Sequence, residues 1–189
     1  MDKAIRLLPA SLLAFVLLFS AFSANALSGI PPKFTIGNVP LVLNGQGTRT
    51  KFIISVYNAG LFLKKKSNNA NQIINANEPM VIRLKVVSGF ATAEKMKAAL
   101  KEGFHKSTGG KTAPIKAQIA QLLNAAFGQK TNKGDVFDLV YTPANGSQVL
   151  KNNKTLTTIK GLPFKQALFG IWLSNNPAQA SLKNELLGK

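Results

Sequence analysis

"LNGQGTRTKFIISVYNAGLFLKKK", Leu43 to Lys66, is the stretch on which the fold turns. Asn44-Gly45 is a strong hairpin dipeptide. After it, Thr50 to Leu63 reads as one long strand. Phe52, Ile54 and Val56 then share one face, and Lys51, Ile53, Ser55, Tyr57 and Leu61 the other. Both faces are substantially apolar. That predicts a central strand covered on both sides, or one with a side open to a ligand.

Upstream, "LSGIPPKFTIGNVPLVLNG" is extended, because Pro31, Pro32 and Pro40 oppose helix, and Leu41 to Leu43 begin a strand. Downstream, "SNNANQIINA" predicts a short helix and "PMVIRLKVVSG" a strand in which Met80, Ile82, Leu84 and Val86 alternate with Val81, Arg83, Lys85 and Val87. Thr92 suits the N-cap of a helix with Met96, Ala99, Leu100, Gly103 and Phe104 on one stripe. Gly109-Gly110 ends it. A second helix opens at Thr112, with Pro114 in its first turn and Ile115, Ile119, Leu122, Leu123, Ala126 and Phe127 inward, and Gly128 closes it. "GDVFDLVYTP", "SQVLKN" and "KTLTTIKG" return to strand. Pro163 and Pro177 open two last helices, the first carrying Phe164, Leu168, Ile171 and Trp172, the second Leu182, Leu186 and Leu187. Hairpin-spaced strands with helices grouped in blocks imply an α+β fold, an antiparallel sheet carrying a helical layer.

Residues 1–26 have the layout of a secretory signal: Lys3 and Arg6, an apolar run from Leu12 to Phe22, and Ala24 and Ala26 at an Ala-x-Ala site. The run is shorter than the roughly 20 residues a spanning helix needs. The expected mature chain, 27–189, is about 160 residues, the size of one domain. Cysteine is absent, so packing rather than disulfides stabilises an exported chain, and a bacterial periplasm is the expected compartment. The net charge is +17, yet the lysines are scattered and only Lys64-Lys65-Lys66 form a run. No stripe of basic residues interleaved with stacking aromatics is present, so nucleic acid is not expected. A basic surface touching anionic headgroups is.

The chemistry is sparse. One histidine, His105, and no cysteine leave no metal site, and no cofactor motif is present. Asp135 and Asp138 are three apart on a strand and point to opposite faces. Arginine occurs three times, at Arg6, Arg49 and Arg83, in a lysine-rich chain. Its planar fork grips a carboxylate bidentately and tolerates burial better than lysine. Arg83 suits a pair with a sheet carboxylate such as Asp138; Arg49 suits either such a pair or an anionic ligand.

"GQGTRTKFIISVYNAGLFL", "GDVFDLVYTPANGSQVL" and "IKGLPFKQALFGIWLSNNPAQASLKNELLG", in that order, resemble the signature segments of the chalcone isomerase-like family, in particular an exported bacterial branch. The resemblance implies an open-faced β-sandwich, a large antiparallel sheet under a helical layer. It places the family's cleft arginine on Arg49, and Tyr57 where fatty-acid-binding relatives have the tyrosine that helps hold a carboxylate and plant isomerases have threonine. A polar threonine of the plant enzymes falls on Ile171. On a straight strand, residues eight apart lie roughly 26 Å from each other, so Arg49 and Tyr57 meet one headgroup only if a bulge or turn intervenes.

Three functions follow. The first is a non-catalytic protein holding a fatty acid or similar apolar acid through Arg49 and Tyr57, with Val87, Phe90, Leu100, Phe104 and Trp172 as candidate cleft walls, for each of which an ordinary core position is the simpler reading. The second is an intramolecular lyase of the chalcone isomerase type, with Arg49 stabilising negative charge. The third is an envelope interaction protein seated on an anionic membrane surface. The oligomeric state is left open.

Overall fold

The structure, a computed structural model, describes residues 29–189. The expected leader, 1–26, lies outside the described residues. Seven strands form one antiparallel sheet in sequence order: β1 (Lys33–Ile36), β2 (Val39–Lys51), β3 (Ile54–Leu63), β4 (Met80–Val86), β5 (Val136–Thr142), β6 (Gly146–Lys151) and β7 (Lys154–Ile159). Among the described residues, five α-helices accompany it: α1 (Ala70–Asn75), α2 (Ala93–Ser107), α3 (Lys116–Phe127), α4 (Leu162–Leu173) and α5 (Ala180–Leu186). A 3₁₀ turn, Ala113–Ile115, leads into α3. The α+β class and the layered antiparallel sheet are as the sequence predicts. No helix among the described residues is long and apolar enough to cross a membrane.

The main correction falls on the opening stretch. Asn44-Gly45 is not a hairpin turn. β2 continues through it, and the chain reverses instead at Phe52-Ile53, between the paired residues Lys51 and Ile54. The predicted strand Thr50–Leu63 is therefore two strands. Asn44 sits in a register shift between the pairs Leu43–Phe62 and Gly45–Leu61, an extra residue of the kind that bends a strand. Its side chain is buried and donates to the carbonyls of Ser67 (2.9 Å) and Leu186 (2.8 Å), while accepting from the Ser67 N–H at 2.7 Å. Gly45 admits the C-terminal turn of α5: a Cβ there would lie 2.1 Å from the Glu185 carbonyl oxygen. The dipeptide that locally favours a turn is used for a close helix–strand contact. The last helix begins at Ala180 rather than at Pro177.

The two faces of the sheet bury different sets. Tyr57, Ala59, Leu61, Met80, Ile82, Leu84, Phe137 and Leu139 join the helices in the main core. On the other face Leu41, Phe62, Val81 and Val140 form a smaller cluster with Ile30, flanked by Phe34. This double burial is what the apolar character of both strand faces predicts. Helix α4 has buried residues all round, including Phe164, Leu168, Phe169 and Trp172, as expected of a helix enclosed by sheet and neighbouring helices.

Candidate functional site

The β2–β3 hairpin brings Arg49 directly opposite Tyr57. Cross-strand partners share a face, so both side chains lie on the helix-covered side. A second register shift, between the Arg49–Tyr57 and Thr50–Ser55 pairs, leaves Val56 as the extra residue. Turn and bulge together remove the separation that a straight strand would impose. Above them a cavity of about 390 Å³ opens between the hairpin, the segment after β4, α2 and α4. Its walls are mostly apolar: Val56, Leu84, Ala91, Met96, Ala99, Leu100, Ile171 and Trp172. Its polar lining residues are Arg49, Lys51, Tyr57, Lys95, Glu102 and Lys106.

Arg49 is half-buried. One guanidinium nitrogen, Nη1, donates to the Thr50 carbonyl and to Gln179 Oε1, the latter at 3.0 Å. Both are neutral acceptors. Among the described residues no carboxylate forms an ion pair with it; the ion pairs there join Arg83 to Asp138, Lys106 to Glu102 and Lys151 to Asp135. Gln179 locks the strand end as well: its Oε1 accepts from the Thr50 N–H at 2.9 Å, and its Nε2 donates to the Thr48 carbonyl at 3.2 Å. The planar group is thus oriented by neutral acceptors, while the Glu102 carboxylate, paired with Lys106, also feels its charge.

Tyr57 is buried, and its hydroxyl accepts a hydrogen bond from Trp172 Nε1 at 3.0 Å. Burial pushes the phenol above its ordinary pKa, while the Trp172 N–H and the Arg49 charge pull in the opposite direction. The hydroxyl therefore stays protonated at neutral pH, and with Trp172 filling an acceptor position its own proton is free to donate to an oxygen in the cavity.

Of the sequence-predicted site residues, Arg49, Tyr57, Phe90, Leu100 and Trp172 line the cavity. Val87 and Phe104 do not. The Val87 N–H continues the sheet by donating to the Val56 carbonyl at 3.1 Å. Phe104 is wholly buried, with its ring 5.8 Å from that of Phe164; it sits one position further round α2 than the cavity-facing Gly103 and belongs to the core. Arg83 pairs with Asp138 as expected, through two bonds of 2.7 and 2.8 Å. Asp135 does not join Asp138; it lies before β5 and meets Lys151 at 2.8 Å. His105 is exposed, and the described residues contain no group of three or more potential metal ligands.

Sequence reasoning missed the basic rim. Lys95, Ala99, Glu102 and Lys106 follow the i, i+4, i+7, i+11 spacing of one helix stripe beside the buried stripe of Met96, Leu100 and Gly103, so the signal was available. Gln179 carried none: only the packing of α5 against β2 brings it to Arg49.

A family model described as chalcone isomerase-like matches residues 25–188. Among solved structures, a fatty-acid binding protein of Arabidopsis thaliana superposes with a TM-score of 0.63 at 15% identity, covering 84% of this chain and 90% of that one. At that identity the likeness is one of fold. No curated protein sequence matches the chain.

Proposed function

The chain belongs to the chalcone isomerase-like family, and from that premise we propose that it binds a fatty acid or a similar apolar acid without transforming it. The observation that carries this reading is the pairing of Arg49 and Tyr57 in the wall of a mainly apolar cavity of about 390 Å³. A carboxylate there would accept from the guanidinium N–H groups left over after the Thr50, Gln179 and Tyr57 contacts, and from the Tyr57 hydroxyl proton. The alkyl chain would run along Val56, Leu84, Leu100, Ile171 and Trp172, with each buried methylene contributing about 0.8 kcal/mol. The fold neighbour whose name states fatty-acid binding supports the same class of ligand. Ile171 presents an apolar wall where the plant isomerases resembled by this chain have a polar threonine, which favours holding a ligand over ring closure.

Export through the leader 1–26 to a periplasm is part of the proposal. It is supported by the signal layout, and an intact-mass measurement of the exported protein should give a chain starting at Leu27.

The test of binding is organic extraction of the purified protein followed by mass spectrometry, with titration of the stripped protein by long-chain fatty acids. A co-purifying acid, or saturable uptake of an added one, is expected. An extract without lipid together with no uptake overturns the reading.

A further inference from the structure

The β2–β3 turn breaks the rule that the chain follows elsewhere. The β1–β2 hairpin reverses at Gly37-Asn38 and the β6–β7 hairpin at Asn152-Asn153. Positive φ in those turns falls on Gly37 (55°), Asn152 (50°) and Asn153 (66°), residues that tolerate it. The β2–β3 turn instead uses Phe52 and Ile53, and Phe52 adopts φ of 55°. A bulky side chain in the left-handed region is an outlier. Nothing in the fold compensates by burying it: Phe52 is 91% exposed and Ile53 97%. Phe90, 54% exposed, is the only other exposed large hydrophobic among the described residues, and it lines the same cavity mouth as Phe52. The outliers in conformation and in exposure therefore coincide at one place, the entrance of the cleft.

The charges around this tip are basic. Lys51 precedes the turn, Lys95 lies 3.3 Å over the Phe90 ring, and Lys106 and Arg49 line the same mouth. Glu102 is the acidic residue lining it, and it is paired with Lys106 at 2.7 Å. Exposed apolar side chains ringed by lysines, on a chain of net charge +17, match the boundary between anionic headgroups and acyl chains.

We propose that Phe52, Ile53 and Phe90 insert into the surface of an anionic bilayer, with the cleft mouth against the lipid, so that the apolar acid passes between bilayer and cleft without crossing water. The passage of ligand rests on the binding function proposed above; the insertion does not.

The absence of cysteine makes the test direct. Ile53→Cys and Ala144→Cys each give the full chain a single labelling site, the second on the exposed β5–β6 turn at the opposite end of the sheet. Each carries an environment-sensitive fluorophore and is mixed with phosphatidylglycerol-containing vesicles bearing lipid-attached quenchers. The label at 53 should shift to the blue and be quenched, with the effect weakening as salt rises, while the label at 144 stays in water. In parallel, Ile53→Ser, at the tip residue that does not line the cavity, should slow transfer of a fluorescent fatty acid from vesicles by on the order of tenfold, leaving equilibrium uptake from solution unchanged. A label at 53 that remains in water while the protein is vesicle-bound overturns the proposal. So does self-association through the tip, seen as a dimer in sedimentation that Ile53→Ser abolishes. Insertion at 53 with no fatty-acid uptake refutes the ligand instead and leaves the docking surface standing.

Discussion

Arg49 and Tyr57 are cross-strand partners, eight residues apart in the chain and directly opposite in the sheet. One supplies a charge that neutral acceptors orient without cancelling it, and the other a hydroxyl that Trp172 polarises. Their roles separate by mutation.

Arg49→Met should weaken binding of a long-chain fatty acid by about 1.5–3 kcal/mol, the usual worth of hydrogen bonds to a charged group. Binding of the corresponding methyl ester should change little, because it has no carboxylate to lose. Calorimetric titration of both ligands measures the difference. Equal losses for acid and ester would show that Arg49 does not hold the carboxylate.

Tyr57→Phe removes the acceptor of the buried Trp172 N–H. A stranded donor costs about 1–3 kcal/mol, whereas removing both partners is milder. In urea unfolding the double variant Tyr57→Phe/Trp172→Phe should therefore be less destabilised than the sum of the two single changes. Additive losses would contradict the bond.

Ala99 lines the cavity from an exposed position on α2. Ala99→Trp should fill the mouth and abolish fatty-acid uptake with little change in Tm, since no core contact is removed. Uptake at the wild-type level would place the ligand elsewhere.

On the opposite face of the sheet, Asp138 is almost wholly buried against Arg83, whose guanidinium lies 5.0 Å over the Phe34 ring. Asp138→Ala strands a half-buried charge and should cost about 3 kcal/mol or more. Replacing both, as Arg83→Met/Asp138→Leu, should recover much of that loss. Denaturant midpoints of the three proteins decide it.

Lys165 is fully buried and donates to the carbonyls of Ile73, Ile74 and Ala76 at 2.8–2.9 Å, closing the C-terminal end of α1. Lys165→Met should cost about 2–3 kcal/mol by leaving those acceptors unmet. Burial lowers the folded-state pKa from 10.5 to about 8. Between these values the unfolded chain holds a proton that the folded chain has released, so stability contributed by this group rises with pH across the window. Below about pH 8 the cost of burying the ammonium stands in full. The gap in unfolding free energy between wild type and Lys165→Met should thus widen from about pH 7 to pH 10; a gap that narrows contradicts the shift.

The sequence by itself determined the class of the fold. Alternation along β4 and β5, helical stripes on α2 and α3, and proline or glycine at helix borders are local signals whose physics does not depend on distant partners. It also singled out Arg49, Tyr57, Leu100 and Trp172, and the partnership of Arg83 with Asp138. Where the chain turns was decided only in three dimensions. Asn44-Gly45 favours a turn locally but is taken up by a bulge against α5, and Phe52-Ile53 turns against its own preference because the strands on either side pair from Lys51 and Ile54 onward. The β2–β3 ladder, which runs from the Lys51–Ile54 pair to the Val42–Leu63 pair, outweighs the preference of a two-residue turn. The same long-range pairing set Arg49 opposite Tyr57, brought Gln179 from 130 positions away, and assigned Phe104 to the core rather than the cleft. Those outcomes depend on which surfaces meet, and that information is distributed over the whole chain.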